Sequence, residues 1–182
     1  MPLRSVLIGL LLYSGCLSAQ NGNYFLSHFS PSLDRSDYLS FDLIQDSRGI
    51  IYIAGKEGVE EFDGRNWRMV RTPGVAYTLT QANNTIFAGG LSGYGRIRYD
   101  SHEGSVFDDL TPDKNTKNVF GSLAIQNNVY FINDDFLFRV SAFSGKTEVK
   151  LKAPEKREFN IIFELDGSAY VGTSEPAIWK VE

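Results

Sequence analysis

A short apolar segment with a central aromatic residue recurs four times in this chain. The aromatic residues are Tyr52, Phe87, Tyr130 and Tyr170, which lie 35, 43 and 40 residues apart. A small polar turn precedes each segment, and a shorter strand-like run follows it. A period near 40 residues that contains about four short strands is typical of β-propeller blades. The pattern therefore predicts an all-β fold, and beyond residue 19 no segment shows the sustained periodicity of a helix.

The repeat divides residues 41–182 into blades at 41–75, 76–117, 118–157 and 158–182. The last blade has three strand candidates, so we expect a partial β-propeller of about three and a half four-stranded blades. Propellers usually close with four to eight blades, and an open arc exposes two apolar sheet faces. We therefore interpret the chain as a fragment of a larger propeller. The alternative is a complete short protein that oligomerises to close its ring.

The first 19 residues have the features of a secretory signal peptide. Arg4 provides a positive charge, and residues 6–13 form an apolar core that is too short to span a bilayer. Cleavage after Ala19 would leave residues 20–40 as a polar lead-in segment before the first blade. The sequence thus predicts a periplasmic or secreted protein. In the alternative interpretation, Cys16 is the lipidated residue of an anchored lipoprotein.

Composition excludes several classes of function. The net charge is −4 and the Lys and Arg residues are dispersed, so we expect no nucleic-acid partner. Cys16 is the only cysteine, which removes disulfides and thiolate metal sites from the rest of the chain. His28 and His102 are the only histidines, and neither belongs to a recognisable catalytic set. We expect no cofactor and no metal.

The first repeat carries a specific family resemblance. Residues 43–54 read Leu-Ile-Gln-Asp-Ser-Arg-Gly-Ile-Ile-Tyr-Ile-Ala, residues 58–64 read Gly-Val-Glu-Glu-Phe-Asp-Gly, and Trp67 follows. This stretch resembles the two-component regulator propeller repeat, and residues 86–99 are similar to the second repeat of the same group. The third and fourth blades retain only the spacing and the aromatic segment.

The resemblance implies a periplasmic ligand-sensing propeller at the N-terminus of a hybrid two-component regulator of the triple-tyrosine-domain type. In such proteins the propeller is followed by an immunoglobulin-like domain, a membrane helix and an output domain, and the signal is often an oligosaccharide. Any histidine kinase activity would lie outside the present sequence, so the chain itself is predicted not to be an enzyme. The expected partners are an oligosaccharide, the downstream immunoglobulin-like domain and a second copy of the chain.

Propeller ligands typically bind at one end of the central channel, where loops join the second strand to the third and one blade to the next. The Gly-rich run at residues 89–95 is predicted to be a wide hairpin turn that presents an aromatic ring for sugar stacking. The ligand-binding residues predicted from these loops are Lys56, Glu57, Arg71, Tyr94, Asp134, Asp135 and Glu175. In the alternative interpretation, they are ordinary solvated loop residues.

Two other functions remain open at this stage. The first is a secreted propeller scaffold that binds proteins or carbohydrates. The second is a propeller enzyme, which is disfavoured by the scarcity of histidine and the absence of a clustered acid–base pair.

Overall fold

The structure is a computed structural model that describes Ser27, Phe29 and residues 39–113 and 116–181. The chain divides into residues 1–33 and residues 34–182, and every strand belongs to the second unit. The described residues form fifteen β-strands and no helix, so none of them belongs to a helix able to cross a bilayer. The predicted signal peptide, Cys16, His28 and nearly all of the lead-in segment lie outside the described residues.

The strands form four antiparallel sheets in which each strand pairs with its neighbour in sequence. Blade 1 contains β1 (Ser40–Gln45), β2 (Ile51–Gly55), β3 (Gly58–Phe62) and β4 (Trp67–Val70). Blade 2 contains β5 (Ala76–Ala82), β6 (Thr85–Gly90), β7 (Gly93–Asp100) and β8 (Gly104–Asp109). Blade 3 contains β9 (Gly121–Ile125), β10 (Asn128–Ile132), β11 (Phe136–Ser141) and β12 (Thr147–Lys152). Blade 4 contains β13 (Phe159–Leu165), β14 (Ser168–Thr173) and β15 (Ile178–Lys180). The predicted all-β partial propeller, with an incomplete fourth blade, is confirmed.

The four recurrent aromatic residues occupy equivalent positions, as the repeat predicts. Each lies on the second strand of its blade and pairs across the ladder with one residue of the innermost strand. Tyr52, Phe87 and Tyr130 are buried, and each belongs to a core shared with the following blade. Tyr170 is only partly buried, because the equivalent face of blade 4 is not covered by another described blade.

The blades pack on one another in chain order through their innermost strands. β1 contacts β5, β5 contacts β9, and β9 contacts β13. Three apolar cores fill these three interfaces. The second strands lie inside these cores, which explains their nearly continuous apolar sequences. Apolar residues remain exposed on the two outermost faces, among them Leu43 on blade 1 and Ile161 on blade 4.

The hairpin turns follow the local sequence. Asn83 and Asn84 both have positive φ and form a two-residue turn between β5 and β6, which is the chemistry expected of a type I′ hairpin. Asp63 instead begins a four-residue loop, where its carboxylate accepts hydrogen bonds from the backbone N–H groups of Arg65 and Asn66. This aspartate therefore acts as a turn former, as the sequence indicates.

The prediction of a wide turn at residues 89–95 is wrong. Gly90 ends β6 and pairs directly with Gly93, the first residue of β7, so the turn consists only of Leu91 and Ser92. The glycines are needed for close approach: a Cβ on Gly89 would collide with Val119 of the segment that enters blade 3, and one on Gly90 would collide with the backbone before β5. The run is consequently a tight hairpin whose flanks are strands.

Candidate functional site

Six of the seven predicted ligand-binding residues lie in loops at the expected end of the blades. Lys56 and Glu57 form the exposed turn between β2 and β3, and Arg71 is exposed in the link after β4. Asp134 and Asp135 lie between β10 and β11, and Glu175 lies between β14 and β15. These residues belong to three different blades and one link, and their role in binding a ligand stays a prediction.

Two of these acidic residues already have basic partners. The Lys117 ammonium is 2.6 Å from the Asp135 carboxylate, and its hydrogen bond to that group raises the pKa of Lys117. The Arg157 guanidinium is 2.8 Å from the Glu175 carboxylate. In both cases a cation in the link that enters a blade pairs with an acid in the second turn of the same blade. Because solvent screens such exposed pairs, they contribute little to stability, but they hold the link against the turn.

The seventh predicted residue, Tyr94, is not a loop residue. It is the second residue of β7 and only 1% exposed. Its ring stacks on Phe131 of blade 3 with centroids 4.5 Å apart, and its hydroxyl is 2.8 Å from the Thr147 hydroxyl. Burial raises the pKa of Tyr94 to about 12. Since the ring is covered by protein, Tyr94 cannot stack on a sugar, and its predicted role is corrected to core packing between blades.

A small cavity lies at the loop end of blade 2, beside the link that enters this blade. It is lined by the link at residues 72–75 and by the turn at Leu91 and Ser92, and it has a volume of about 10 Å³. That is room for roughly one water molecule. This cavity is therefore too small for a sugar ring.

A much larger cleft lies between blades 1 and 2 at the opposite end, near the first turn of each blade. Its volume is about 570 Å³, within the range typical of ligand pockets. Blade 1 contributes Arg48, Tyr52 and Glu61, and blade 2 contributes Asn84 and Tyr99. The Tyr99 side chain is 74% exposed near the end of β7. None of the seven predicted ligand-binding residues lines this cleft.

One wall of the cleft is built by the first turn of blade 1. Asp46 is buried, and Arg48 donates to its Oδ2 from Nε at 2.9 Å and from Nη2 at 2.7 Å. Oδ1 accepts the backbone N–H groups of Arg48 and Ile50. Burial acts to raise the pKa of Asp46, but the hydrogen bonds together outweigh it and hold that pKa below its ordinary value. The carboxylate thus remains ionised and fixes the Arg48 guanidinium at the edge of the cleft.

Tyr52 contributes a neutral phenol to the cleft. Its hydroxyl oxygen accepts a hydrogen bond from Arg48 Nη2 at 3.0 Å. Burial, followed by the negative charge of Glu61, raises the pKa of Tyr52 to about 12. Glu61 lies opposite Tyr52 in the ladder between β2 and β3. No described residue hydrogen-bonds to the buried Oε2 of Glu61, which leaves a carboxylate oxygen unsatisfied beside the cleft.

Blades 2 and 3 carry a related pair of charges at the same place. At the ladder position of Glu61, blades 2 and 3 have Arg96 and Arg139. Each of these arginines forms an ion pair with an acid on the fourth strand. Arg96 is 2.9 Å from Asp108, and Arg139 is 3.7 Å from Glu148.

In blade 1 the acid and the base exchange positions, and they do not form an ion pair. Glu61 lies opposite Arg68 on β4. The Arg68 guanidinium lies instead against Gly104 of blade 2, where an added Cβ would collide with it. Blade 1 is thus the one of the three described four-stranded blades in which this ion pair does not form, and it contributes one side of the cleft. The sequence contained a signal for the site, since Glu61 places a carboxylate within the strand-like run between Val59 and Phe62.

Together these groups can bind a polar ligand. Glu61 offers an acceptor, Arg48 offers donors, and Tyr99 offers an exposed aromatic face. His102 lies in the exposed turn after β7, where its backbone N–H donates to Asp100. Within residues 39–113 and 116–181, no group of three His, Cys, Asp or Glu residues is arranged to hold a metal ion.

Comparisons with known proteins identify similar folds. No protein-family model matches the chain, and no curated protein matches it. The extracellular domain of BT4673 from B. thetaiotaomicron, described as a hybrid two-component system, superposes over 87% of this chain with a TM-score of 0.64 and 16% identity. The extracellular domain of BT3049 from the same organism, described in the same way, superposes over 85% with a TM-score of 0.61 and 11% identity. The computationally designed protein Ika4 superposes over 86%, at a TM-score of 0.61 and 11% identity.

The lengths of these proteins differ widely. The chain spans 22% of the BT4673 chain and 24% of the BT3049 chain, but 100% of Ika4. Identities this low establish a common architecture and no more. The chain therefore has the β-propeller fold seen in the extracellular domains of BT4673 and BT3049.

Proposed function

We propose that this chain is part of a ligand-sensing propeller of a two-component signal-transduction regulator, located outside the cytoplasm, and that its ligand is an oligosaccharide. The observation that carries the proposal is the structural likeness to the extracellular domain of BT4673 over 87% of the chain. The two-component propeller repeat read from residues 43–64 supports the same class. Secretion through the N-terminal signal and an immunoglobulin-like domain after the propeller of the full-length protein belong to this proposal.

We place the ligand in the cleft between blades 1 and 2. The cleft has about 570 Å³, against about 10 Å³ in the cavity at the loop end of blade 2. A sugar presents apolar C–H faces and hydroxyl groups, which require an aromatic surface together with donors and acceptors. The exposed ring of Tyr99 supplies the surface, Glu61 accepts a hydroxyl, and Arg48 donates to another.

Binding at this position would be coupled to the packing of the blades. The cleft is formed by two blades that share the core around Tyr52, Leu79 and Ile97. A ligand that contacts both blades binds some blade arrangements more tightly than others and shifts the population towards them. The proposed signal is this change in packing, transmitted to whatever domain follows the propeller.

The proposal is tested by calorimetry of the protein against a panel of oligosaccharides. For any binder, Glu61→Gln is expected to weaken the affinity about tenfold, or about 1.4 kcal/mol, since it removes the charge from an acceptor with little change of shape. Glu175→Gln is the matched control, because Glu175 lies at the loop end and pairs with Arg157. Equal melting temperatures would show that both variants fold.

Two results would contradict the proposal in different ways. If Glu175→Gln weakens binding and Glu61→Gln does not, the ligand binds at the loop end, where the sequence placed it. If no saccharide of the panel binds while the protein is folded, the proposed ligand class is wrong.

A further inference from the structure

Three arginines line the cleft between blades 1 and 2, but each is already paired with an aspartate of its own blade. The pairs, with their N–O distances, are Arg48 with Asp46 at 2.7 Å, Arg96 with Asp108 at 2.9 Å, and Arg98 with Asp100 at 3.4 Å. Each of these positive charges thus has a negative charge beside it. The arginines therefore do not make the cleft a basic site.

Glu61 lines the same cleft without such a partner. Its Oε2 is buried, and no described residue hydrogen-bonds to it. Neither Glu61 nor Arg68, which lies opposite it in the ladder, belongs to any of the ion pairs that form between described residues. A carboxylate that is shielded from water is costly to leave without a cation. Because an ammonium adds Coulomb attraction to the hydrogen bond that a hydroxyl could also donate, a positively charged ligand group would bind Glu61 more tightly than a hydroxyl.

Blades 2 and 3 contain the ion pair that blade 1 lacks. Arg96 and Arg139 occupy the ladder position of Glu61, and each pairs with an acid on the fourth strand of its own blade. In blade 1 the Arg68 guanidinium lies against Gly104 of blade 2, which leaves Glu61 without a base. A cation on the ligand would complete in blade 1 the ion pair that blades 2 and 3 form internally.

We propose that the oligosaccharide of this cleft carries a free amino group whose ammonium pairs with Glu61, an inference that rests on the proposed function because it specifies the ligand of the same site. An ammonium has three N–H donors and no acceptor, so all of its hydrogen bonds suit carboxylate and hydroxyl oxygens. Tyr99 lies on the blade 2 side of the cleft, and its ring is 74% exposed. An aromatic face attracts a cation as well as the C–H face of a sugar ring. Glu61 and Tyr99 therefore bind the two parts of one amino sugar.

The same charges disfavour an acidic sugar. Asp63 also lines the cleft, and its carboxylate accepts hydrogen bonds from backbone N–H groups of its own loop. A carboxylated or sulfated saccharide would bring its anion towards Glu61 and Asp63, and like charges repel. Arg48 attracts such an anion less than an unpaired guanidinium would, because Asp46 already lies 2.7 Å from it. The cleft therefore selects a cationic saccharide over an anionic one.

Three saccharides that share one backbone test the charge of the ligand. Oligomers of chitosan, chitin and cellulose, of equal length, differ only in the ammonium, acetamide or hydroxyl group on the second sugar carbon. Calorimetry is carried out at about pH 6, where both an aliphatic amine and a carboxylate are charged. We expect the chitosan oligomer to bind about tenfold more tightly than either of the other two, a difference of about 1.4 kcal/mol.

Two matched variants locate the group that recognises the ammonium. In Glu61→Gln the preference for the chitosan oligomer over the cellulose oligomer should vanish, because the charge that distinguishes them is removed with little change of shape. In Glu175→Gln the preference should persist, since this carboxylate pairs with Arg157 at the loop end. Both variants lose one negative charge, so their comparison separates direct pairing from the general attraction of a cation to an acidic chain. Equal melting temperatures would show that both variants are folded.

The possible failures are distinguishable from one another. If the cellulose oligomer or another neutral saccharide binds as tightly as the chitosan oligomer, or if the chitosan oligomer does not bind, the cationic ligand is refuted while the proposed sensing of saccharides stands. A preference for the chitosan oligomer that persists in Glu61→Gln would overturn the role of Glu61. A lysine oligomer of the same charge that binds as tightly would show recognition of charge without a sugar, which also overturns the proposal. Absence of binding by every saccharide of the wider panel contradicts the proposed function itself.

Discussion

Replacing Tyr94 with alanine separates the two roles that can be assigned to this residue. A ring that stacked on a ligand in a loop would affect binding and leave stability nearly unchanged. The ring in the structure is buried, stacks on Phe131 and bonds to Thr147 across the interface of blades 2 and 3. We therefore expect Tyr94→Ala to lower the free energy of unfolding.

The magnitude follows from the surroundings of the ring. Truncating a large buried aromatic side chain costs about 3–5 kcal/mol, which includes the cavity it leaves. The stacked pair with Phe131, worth about 0.5–1.5 kcal/mol, places Tyr94 in the upper part of that range. The hydrogen bond to Thr147 is worth about 1 kcal/mol at most, because Thr147 is half-buried and water can replace the hydroxyl. The expected loss of about 4–5 kcal/mol is a large part of the roughly 5–15 kcal/mol by which most domains are stable.

Urea denaturation followed by intrinsic fluorescence measures this loss. Tyr94→Phe should lose only the hydrogen bond, about 1 kcal/mol. Tyr99→Ala is the matched control, because its ring is exposed on the same strand and should change stability by about 0.5 kcal/mol or less. If Tyr94→Ala unfolds at the same urea concentration as Tyr99→Ala, the ring is not buried and the register of blade 2 is wrong.

Two further predictions concern a glycine and an aspartate. Gly93 has a φ of +127° and no room for a Cβ against Thr111, whereas Gly64 has a φ of +91° and open space around it. Gly93→Ala should therefore lower the melting temperature more than Gly64→Ala does. Equal melting temperatures of the two variants would contradict the tight hairpin. The pKa of Asp46 is lower in the folded chain than its ordinary value of 3.8, so its ionised form stabilises the fold above pH 3.8 and this contribution is lost as the pH falls through the lowered pKa. Asp46→Asn should flatten the fall in unfolding free energy at acid pH, and a pH dependence identical to that of the unmodified chain would refute this assignment.

The sequence alone determined the repeat and therefore the architecture. The spacing of Tyr52, Phe87, Tyr130 and Tyr170 was sufficient because each blade has the same requirement, an aromatic residue that fills the interface with the next blade. Local turn signals were similarly reliable at Asp63, since its effect depends only on the nearby backbone.

The tertiary structure decided what the local pattern left ambiguous. A Gly-rich run can be a wide loop or the close-packed strands of a tight hairpin, and only the approach of blade 3 to Gly89 and Tyr94 distinguishes them. The partners of charged residues were equally inaccessible from the sequence. Arg68 faces Glu61 in the ladder, yet its guanidinium lies against Gly104 of another blade. The cleft and its unsatisfied carboxylate exist because two blades meet there, and a contact between blades depends on side-chain directions that a repeat period does not specify.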